Sequence, residues 1–256
     1  MDNPIFGPIL SGLTANLHIL LPALLFVAVV RSAWFKGVIG ELKVAIAIKL
    51  GLGREYQDFH NVTLEYKDGT TQIDHILLSP FGVFVLETKN YSGWIFGSAA
   101  QKTWTQKLGG KSFKFQNPLH QNAKHVNAIA EALAIDKSKI VSVIAFVGGG
   151  SIRTELPRNV CEGVSFISFI RSHSIRSLED SDLFTLQRKL SGRRLKPGIS
   201  TGLRHRKNVK RALIDPKCPI CEGAMKKRVA KKGKNAGASF WGCANFPKCR
   251  GTRVAI

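Results

Sequence analysis

The chain has 256 residues and a mass of 28.1 kDa, enough for one mid-sized core and something smaller. Apolar residues make up 44% and charged residues 21%, which argues against a disordered polyelectrolyte. The formal charge of +21 is concentrated at one end: from Arg193 onward there are 18 Lys and Arg against 2 acids, a net +16, leaving +5 for the first 192 residues. A basic tail on a near-neutral body points to a polyanion-binding appendage. Four of the five cysteines lie in that tail at metal-ligand spacing and Cys161 stands alone. This argues against a secreted disulfide scaffold and places the tail in a reducing compartment.

In chain order, Ile5 to Val30 contains no Lys, Arg, Asp or Glu, long enough to cross a hydrocarbon core of about 30 Å. Pro22 and His18 weaken the helix locally, which transmembrane helices tolerate. A cleaved signal peptide would want a positive n-region, and Met1-Asp2-Asn3 has none; a buried helix of the body is the other reading. The expectation is a transmembrane helix over residues 5–30. Arg31 and Lys36 follow the run and no basic residue precedes it, so a single pass through a bacterial-type inner membrane is expected, with the C-terminal side facing the cytoplasm.

The body, residues 37–190, reads as α/β, a sheet with flanking helices. Gly40 to Ile48 is a helix with Ile39, Leu42, Ile46 and Leu50 as its apolar stripe. Asn61 to Tyr66 alternates as a strand, Lys67 to Thr70 supplies a turn, and Gln72–Leu78 and Val83–Lys89 are further strands joined by the turn Ser79-Pro80-Phe81-Gly82. Asn117-Pro118 starts a helix that runs to about Leu133, with Leu119, Val126, Ile129 and Leu133 inward. Ile140 to Val147 is an apolar strand, central in the sheet. A short strand near Ser165–Ile167 and a helix near Leu178–Leu190 complete the body, and residues 191–212 read as a basic linker.

The hairpin carries the candidate chemistry. Glu87 and Lys89 share a strand face, and the turn sets Asp74 within about one residue of Glu87 across the ladder. Carboxylates that close call for a cation between them, and oxygen ligands suit Mg²⁺ or Mn²⁺. Such a metal would activate water at a phosphodiester, while Lys89 orients that water or stabilises the phosphorane. The same residues would also serve as an ion-pair cluster on an ordinary hairpin. His75, on the opposite face from Asp74, reads as structural.

The run Ile73-Asp74-His75-Ile76-Leu77-Leu78-Ser79-Pro80-Phe81-Gly82-Val83-Phe84-Val85-Leu86-Glu87-Thr88-Lys89-Asn90 resembles the signature of the nuclease-related domain, NERD, among the PD-(D/E)xK nucleases. Gly40-Glu41, Trp104-Thr105-Gln106 and Asn117-Pro118-Leu119-His120-Gln121 extend the likeness over roughly residues 37–150. The resemblance implies a restriction-endonuclease-like mixed sheet and a site of Glu41, Asp74, Glu87 and Lys89. Gln121 with His125 resembles the Gln-x-x-x-Tyr helix element of Mrr-like enzymes, His replacing Tyr; taken alone, both read as exposed helix polars.

Cys218-Pro219-Ile220-Cys221 and Cys243-x₅-Cys249 supply two thiolate pairs, the donor set of one tetrahedral structural zinc, within residues 213–256. With Phe240-Trp241-Gly242-Cys243 and Asn245 to Thr252 they resemble the C4 zinc ribbon of bacterial type I topoisomerases. That resemblance implies single-stranded DNA binding and no topoisomerase chemistry. Phe240, Trp241 and Phe246, beside Lys248 and Arg250, offer stacking platforms and phosphate contacts; the alternative is that the aromatics pack on the zinc core, and Trp241 or Phe246 is expected to be exposed. The reading is a membrane-anchored, metal-dependent DNA nuclease; the alternative is a non-enzymatic DNA-tethering protein with an inactive nuclease fold.

Overall fold

The computed structural model describes residues 16–67, 69–214, 216–230, 237 and 239–254. Helices α1 (Leu17–Arg31) and α2 (Ala33–Gly51) meet at Ser32, whose backbone is extended. Its hydroxyl donates to Val29 O at 2.6 Å and accepts from Phe35 N at 3.1 Å, ending one helix and capping the next. The two axes are bent by 58°. The 15 residues of α1 reach about 22 Å at 1.5 Å per residue, short of a hydrocarbon core of about 30 Å. No single described helix is long and apolar enough to cross a membrane; α1 and α2 pass only as a bent pair. Of the expected span over 5–30, residues 5–15 lie outside the described residues.

The expected inward stripe of α2 is turned the other way. Val44 and Ile48, with Leu52 just beyond the helix, enter the core, while Leu42, Ile46 and Leu50 are exposed. Opposite sides of the helix are both apolar, so periodicity cannot choose a face. Close packing chooses it: a Cβ on Gly40 would lie 2.7 Å from Asn90 Cβ, and Asn90 Nδ2 donates to Lys36 O.

There follow β1 (Gln57–Tyr66), β2 (Gly69–Ser79), β3 (Gly82–Lys89), β4 (Gly93–Phe96), β5 (Thr103–Leu108), β6 (Lys111–Gln116), α3 (Pro118–Leu133), β7 (Ile140–Phe146), β8 (Gly150–Ile152), β9 (Val160–Glu162), α4 (Ser165–Arg171), α5 (Asp180–Arg193), α6 (Ile199–Ile214), β10 (Met225–Val229), β11 (Ser239–Cys243) and β12 (Thr252–Val254). Asp68, in the expected β1–β2 turn, lies outside the described residues. The sheets have orders β1-β2-β3-β7-β9, β6-β5-β4-β8 and β10-β11-β12. β3 pairs antiparallel with β2 and parallel with β7, so the first sheet is mixed and β7 is internal, as its apolar sequence implies. The two faces of β7 feed different cores: Val143 and Ala145 pack with α2 and α4, Ile144 and Phe146 with Ile95 and Trp104. The strand expected at Ser165–Ile167 is instead α4; Phe166, Ile167 and Ile170 are buried at helical spacing, and the strand lies earlier, as β9.

The chain divides into two compact units: residues up to His60 with Ile73–Gln187, and Asn61–Gln72 with Arg188–Ile256. In the second, the expected linker over 191–212 is largely helical, in the end of α5 and in α6. Arg204 Nη2 donates to Glu65 Oε1 at 2.8 Å, His205 Nδ1 and Thr70 Oγ1 are hydrogen-bonded at 3.0 Å, and Leu195 N donates to Thr63 O at 2.9 Å. These contacts of α6 and the segment before it are polar, so a search for apolar periodicity passes over them.

Candidate active site and cysteine cluster

The β2–β3 turn sets the site. Ser79 pairs with Gly82; Ser79 Oγ donates to Gly82 O at 3.0 Å and accepts from Phe81 N at 3.2 Å. Gly82 has φ 132°, a conformation that glycine supplies without strain. The register His75↔Leu86, continued by one residue, brings Asp74 opposite Glu87. Thr88 N donates to Asp74 Oδ2 at 2.8 Å. His75 is buried with its Nδ1 3.1 Å from both carboxylate oxygens of Asp58, a structural pairing away from the site.

Lys89 Nζ donates to Glu87 Oε1 at 2.5 Å and to Gln121 Oε1 at 2.9 Å. The other oxygen of Glu87 lies 3.2 Å from His125 Nε2. Glu87 is 3% exposed and His125 4%, so His125 is no surface polar residue. Helix α3 delivers both of its site residues. Asn117 Oδ1 accepts from Leu119 N at 2.9 Å as the cap, and its Nδ2 donates to Gln101 O at 2.6 Å. Asn122 Nδ2 donates to Val85 O and to Ser142 Oγ, both at 2.8 Å, which bolts the helix over β3 and β7. Leu119 and Val126, expected inward, are only partly buried; Asn122 and His125 take fully buried positions. Trp104, fully buried, donates from Nε1 to Ser98 O, and Gln106 donates from Nε2 to Ser92 O. These two motif residues are architectural. Asn122 is the residue that the sequence motifs pass over, although it sits at a core position of the helical repeat, where a polar side chain signals a buried bond.

The two carboxylates are treated unequally. Burial, and then the charge of Glu87, push Asp74 up to about 7, with Glu41 adding to the rise; the N–H of Thr88 and the Lys89 ammonium pull the other way. Burial also opposes ionisation of Glu87, but the His125 hydrogen bond and the Lys89 charge outweigh it and hold Glu87 below the usual carboxylate range. The donors are all oxygen: Asp74 and Glu87 on facing strands, with Glu41 of α2 acting electrostatically on Asp74. A hard dication fits this set, because it would let Asp74 ionise beside Glu87.

The sign of the pH effect follows. Unfolded, Asp74 loses its proton near pH 4; folded, it keeps it to about 7, so its contribution to stability falls as pH rises through that window. In chelator, Asp74→Asn is expected to be more stable than wild type at pH 8 by about 4 kcal/mol, with the gap closing toward pH 4. Parallel pH–stability curves from thermal unfolding would contradict this.

In the second unit, the four cysteines of the tail offer sulfur atoms that all lie within 4.8 Å of one another. Cys218 Sγ is 3.6 Å from Cys249 Sγ, and Cys221 Sγ is 3.4 Å from Cys243 Sγ. A tetrahedral zinc–thiolate cage has S···S edges of about 3.8 Å for Zn–S of about 2.3 Å, so the cluster is compatible with a zinc ribbon. A Cβ on Gly251 would lie 2.2 Å from Cys218 Sγ, so only glycine fits there. Backbone N–H groups of Cys221 and Ile220 are among the groups that lower the Cys218 thiol to about 6, while burial pushes Cys243 up to about 12. Four thiolates in contact need a cation. Trp241 packs against this core and Phe246 is 57% exposed. The Arg228 guanidinium lies 5.8 Å from the Phe246 ring centroid, a pairing the sequence did not reveal. Phe240 is partly buried, while Lys248 and Arg250 are exposed.

Residues 36–147 match the family model of the nuclease-related domain. Over 114 residues the chain is 47% identical to an uncharacterized protein of Bacillus anthracis, an alignment covering 44% of this chain and 53% of the relative. The chain thus spans about half the length of the curated relative it matches. No solved structure matches it. The family match ends before the cysteine segment and takes in Glu41, Asp74, Glu87, Lys89, Gln121 and His125: residues 36–147 are similar to a nuclease-related domain.

Proposed function

We propose that the chain is a membrane-anchored, metal-dependent DNA nuclease whose cysteine segment is a DNA-binding zinc ribbon. The observation that carries the proposal is the convergence of Asp74, Glu87, Lys89 and Gln121 at one place, with His125 behind Glu87. A surface ion pair on an ordinary hairpin has no need of a buried carboxylate held from both sides. A Mg²⁺ or Mn²⁺ ion held by Asp74 and Glu87, with Glu41 beside them, would supply a polarised water and neutralise charge on the phosphodiester. Lys89, fixed between Glu87 and Gln121, orients the attacking water or stabilises the pentacovalent phosphorus. Gln121 and His125 keep Lys89 and Glu87 in place.

The zinc ribbon supplies affinity, preferentially for single strands. Phe246 is exposed beside Arg228, with Phe240, Trp241, Lys248 and Arg250 on the same small module, and bases stack on aromatics while cations hold phosphates. The charge-free run from Ile5 to Val30 anchors the chain at the inner face of a bacterial-type inner membrane. The second reading is a DNA-tethering protein without catalysis; the complete set of Asp74, Glu87 and Lys89 favours the enzyme.

Reduced, purified protein is expected to contain one zinc per chain, lost in Cys249→Ser; a wild-type metal content near zero would sink the ribbon. With labelled single- and double-stranded DNA and Mg²⁺ or Mn²⁺, Lys89→Ala and Asp74→Ala should lower cleavage by at least about 100-fold. DNA binding should stay nearly unchanged, because one cation in a strongly basic chain barely alters the electrostatic sum. Deleting residues 212–256 should instead weaken binding and its salt dependence. Cleavage that survives both point substitutions would place the activity elsewhere, and no cleavage with any divalent metal would favour the tether.

A further inference from the structure

The outer face of helix α2 is largely apolar. Its inner side is Gly40, Val44 and Ile48. At about 100° per residue, the side directly opposite carries Phe35, Val38, Ile39, Leu42, Ile46 and Leu50, with the exposed Lys49 among them in the last turn. Of these, Val38 is 42% exposed, Leu42 52%, Ile46 50% and Leu50 81%. Lys36 and Lys43, both exposed, run along one edge of the strip. A helix docked on a core by one face ordinarily turns polar residues to water, and a strip this long, apolar but for Lys49 in its last turn, marks an interaction surface.

Two observations say what covers it. The apolar surface continues into α1, where Leu24, Leu25 and Phe26 are each more than 65% exposed, on the other side of a bend fixed by the Ser32 cap. A lipid phase covers both helices whatever their angle, whereas a second copy of the chain would have to match the bend. The cationic edge has a partner in anionic headgroups. Resting on the membrane-anchor reading above, we propose that α2 lies along an anionic bilayer surface, its outer strip in the acyl–headgroup boundary and Lys36 and Lys43 against the headgroups. Because α2 carries Glu41 and packs through Gly40 on Asn90 at the end of β3, the carboxylate site is then held about one helix diameter, ~10 Å, from the lipid. DNA would be met at the membrane surface.

The test uses the full chain reconstituted in phosphatidylcholine/phosphatidylglycerol vesicles, with and without brominated acyl chains, which quench tryptophan on contact. Leu50→Trp places a reporter at the far end of α2, where the exposed side chain leaves room for the ring; Leu24→Trp reports on α1, and Phe184→Trp, exposed on α5, serves as the aqueous control. The expected result is that the emission added by Leu50→Trp is blue-shifted and at least halved by brominated lipid. Leu24→Trp should also be quenched and Phe184→Trp unaffected, and Lys36→Glu with Lys43→Glu should reduce the quenching at Leu50. If Leu50→Trp stays water-like while Leu24→Trp is quenched, the anchor stands and this inference fails. If neither is quenched, both fail. Emission from Leu50→Trp that is already blue-shifted without lipid, in a protein that light scattering shows to be dimeric, would overturn the lipid assignment in favour of a second copy.

Discussion

The first unit is organised around one electrostatic constraint, two carboxylates on facing strands, Asp74 and Glu87, with little water to separate their charges. Ionised together and unaccompanied, they would be costly. The fold answers asymmetrically. Glu87 receives Lys89 on one oxygen and His125 on the other, while Asp74, among the described residues, receives the Thr88 N–H. Glu87 is therefore the fixed anion, and Asp74 keeps its proton to about 7. The difference lies in the donors each oxygen was given.

That arrangement recruits the rest of the unit. Asn122 spends its amide hydrogens on the backbone of β3 and a side chain of β7 so that Gln121 and His125, its near neighbours on α3, reach the hairpin. Gly40 lets α2 approach Asn90 closely enough to set Glu41 within electrostatic reach of Asp74. The cysteine cluster repeats the same physics with sulfur: Cys218 is drawn toward the thiolate and Cys243 toward the thiol, and a dication removes the conflict.

What was legible in the sequence depended on how locally it was encoded. The register that faces Asp74 with Glu87 follows from the four residues Ser79 to Gly82, and the cysteine cluster from spacing alone. The buried face of α2 was not legible, because both sides of that helix are apolar and a contact with Asn90, some 50 residues away in the sequence, decides between them. The helix α6 was hidden for a different reason: its described contacts, through Arg204, His205 and Asn208, are polar, so composition reads it as a linker. His125 stands where the resemblance has Tyr, and its burial is not legible on the helix alone; it follows from Glu87 being placed beside it.

If Asp74 and Glu87 hold a divalent cation, calorimetric titration of the zinc-loaded chain with Mn²⁺ will register it. At pH 6.5 in two buffers of different ionisation enthalpy, one Mn²⁺ should bind per chain with release of roughly one proton, the one that Asp74 holds to about 7. Asp74→Asn and Glu87→Gln should each abolish that binding event. Binding of Mn²⁺ that persists unchanged in both variants, or that releases no proton, would mean that Asp74 and Glu87 do not hold the cation.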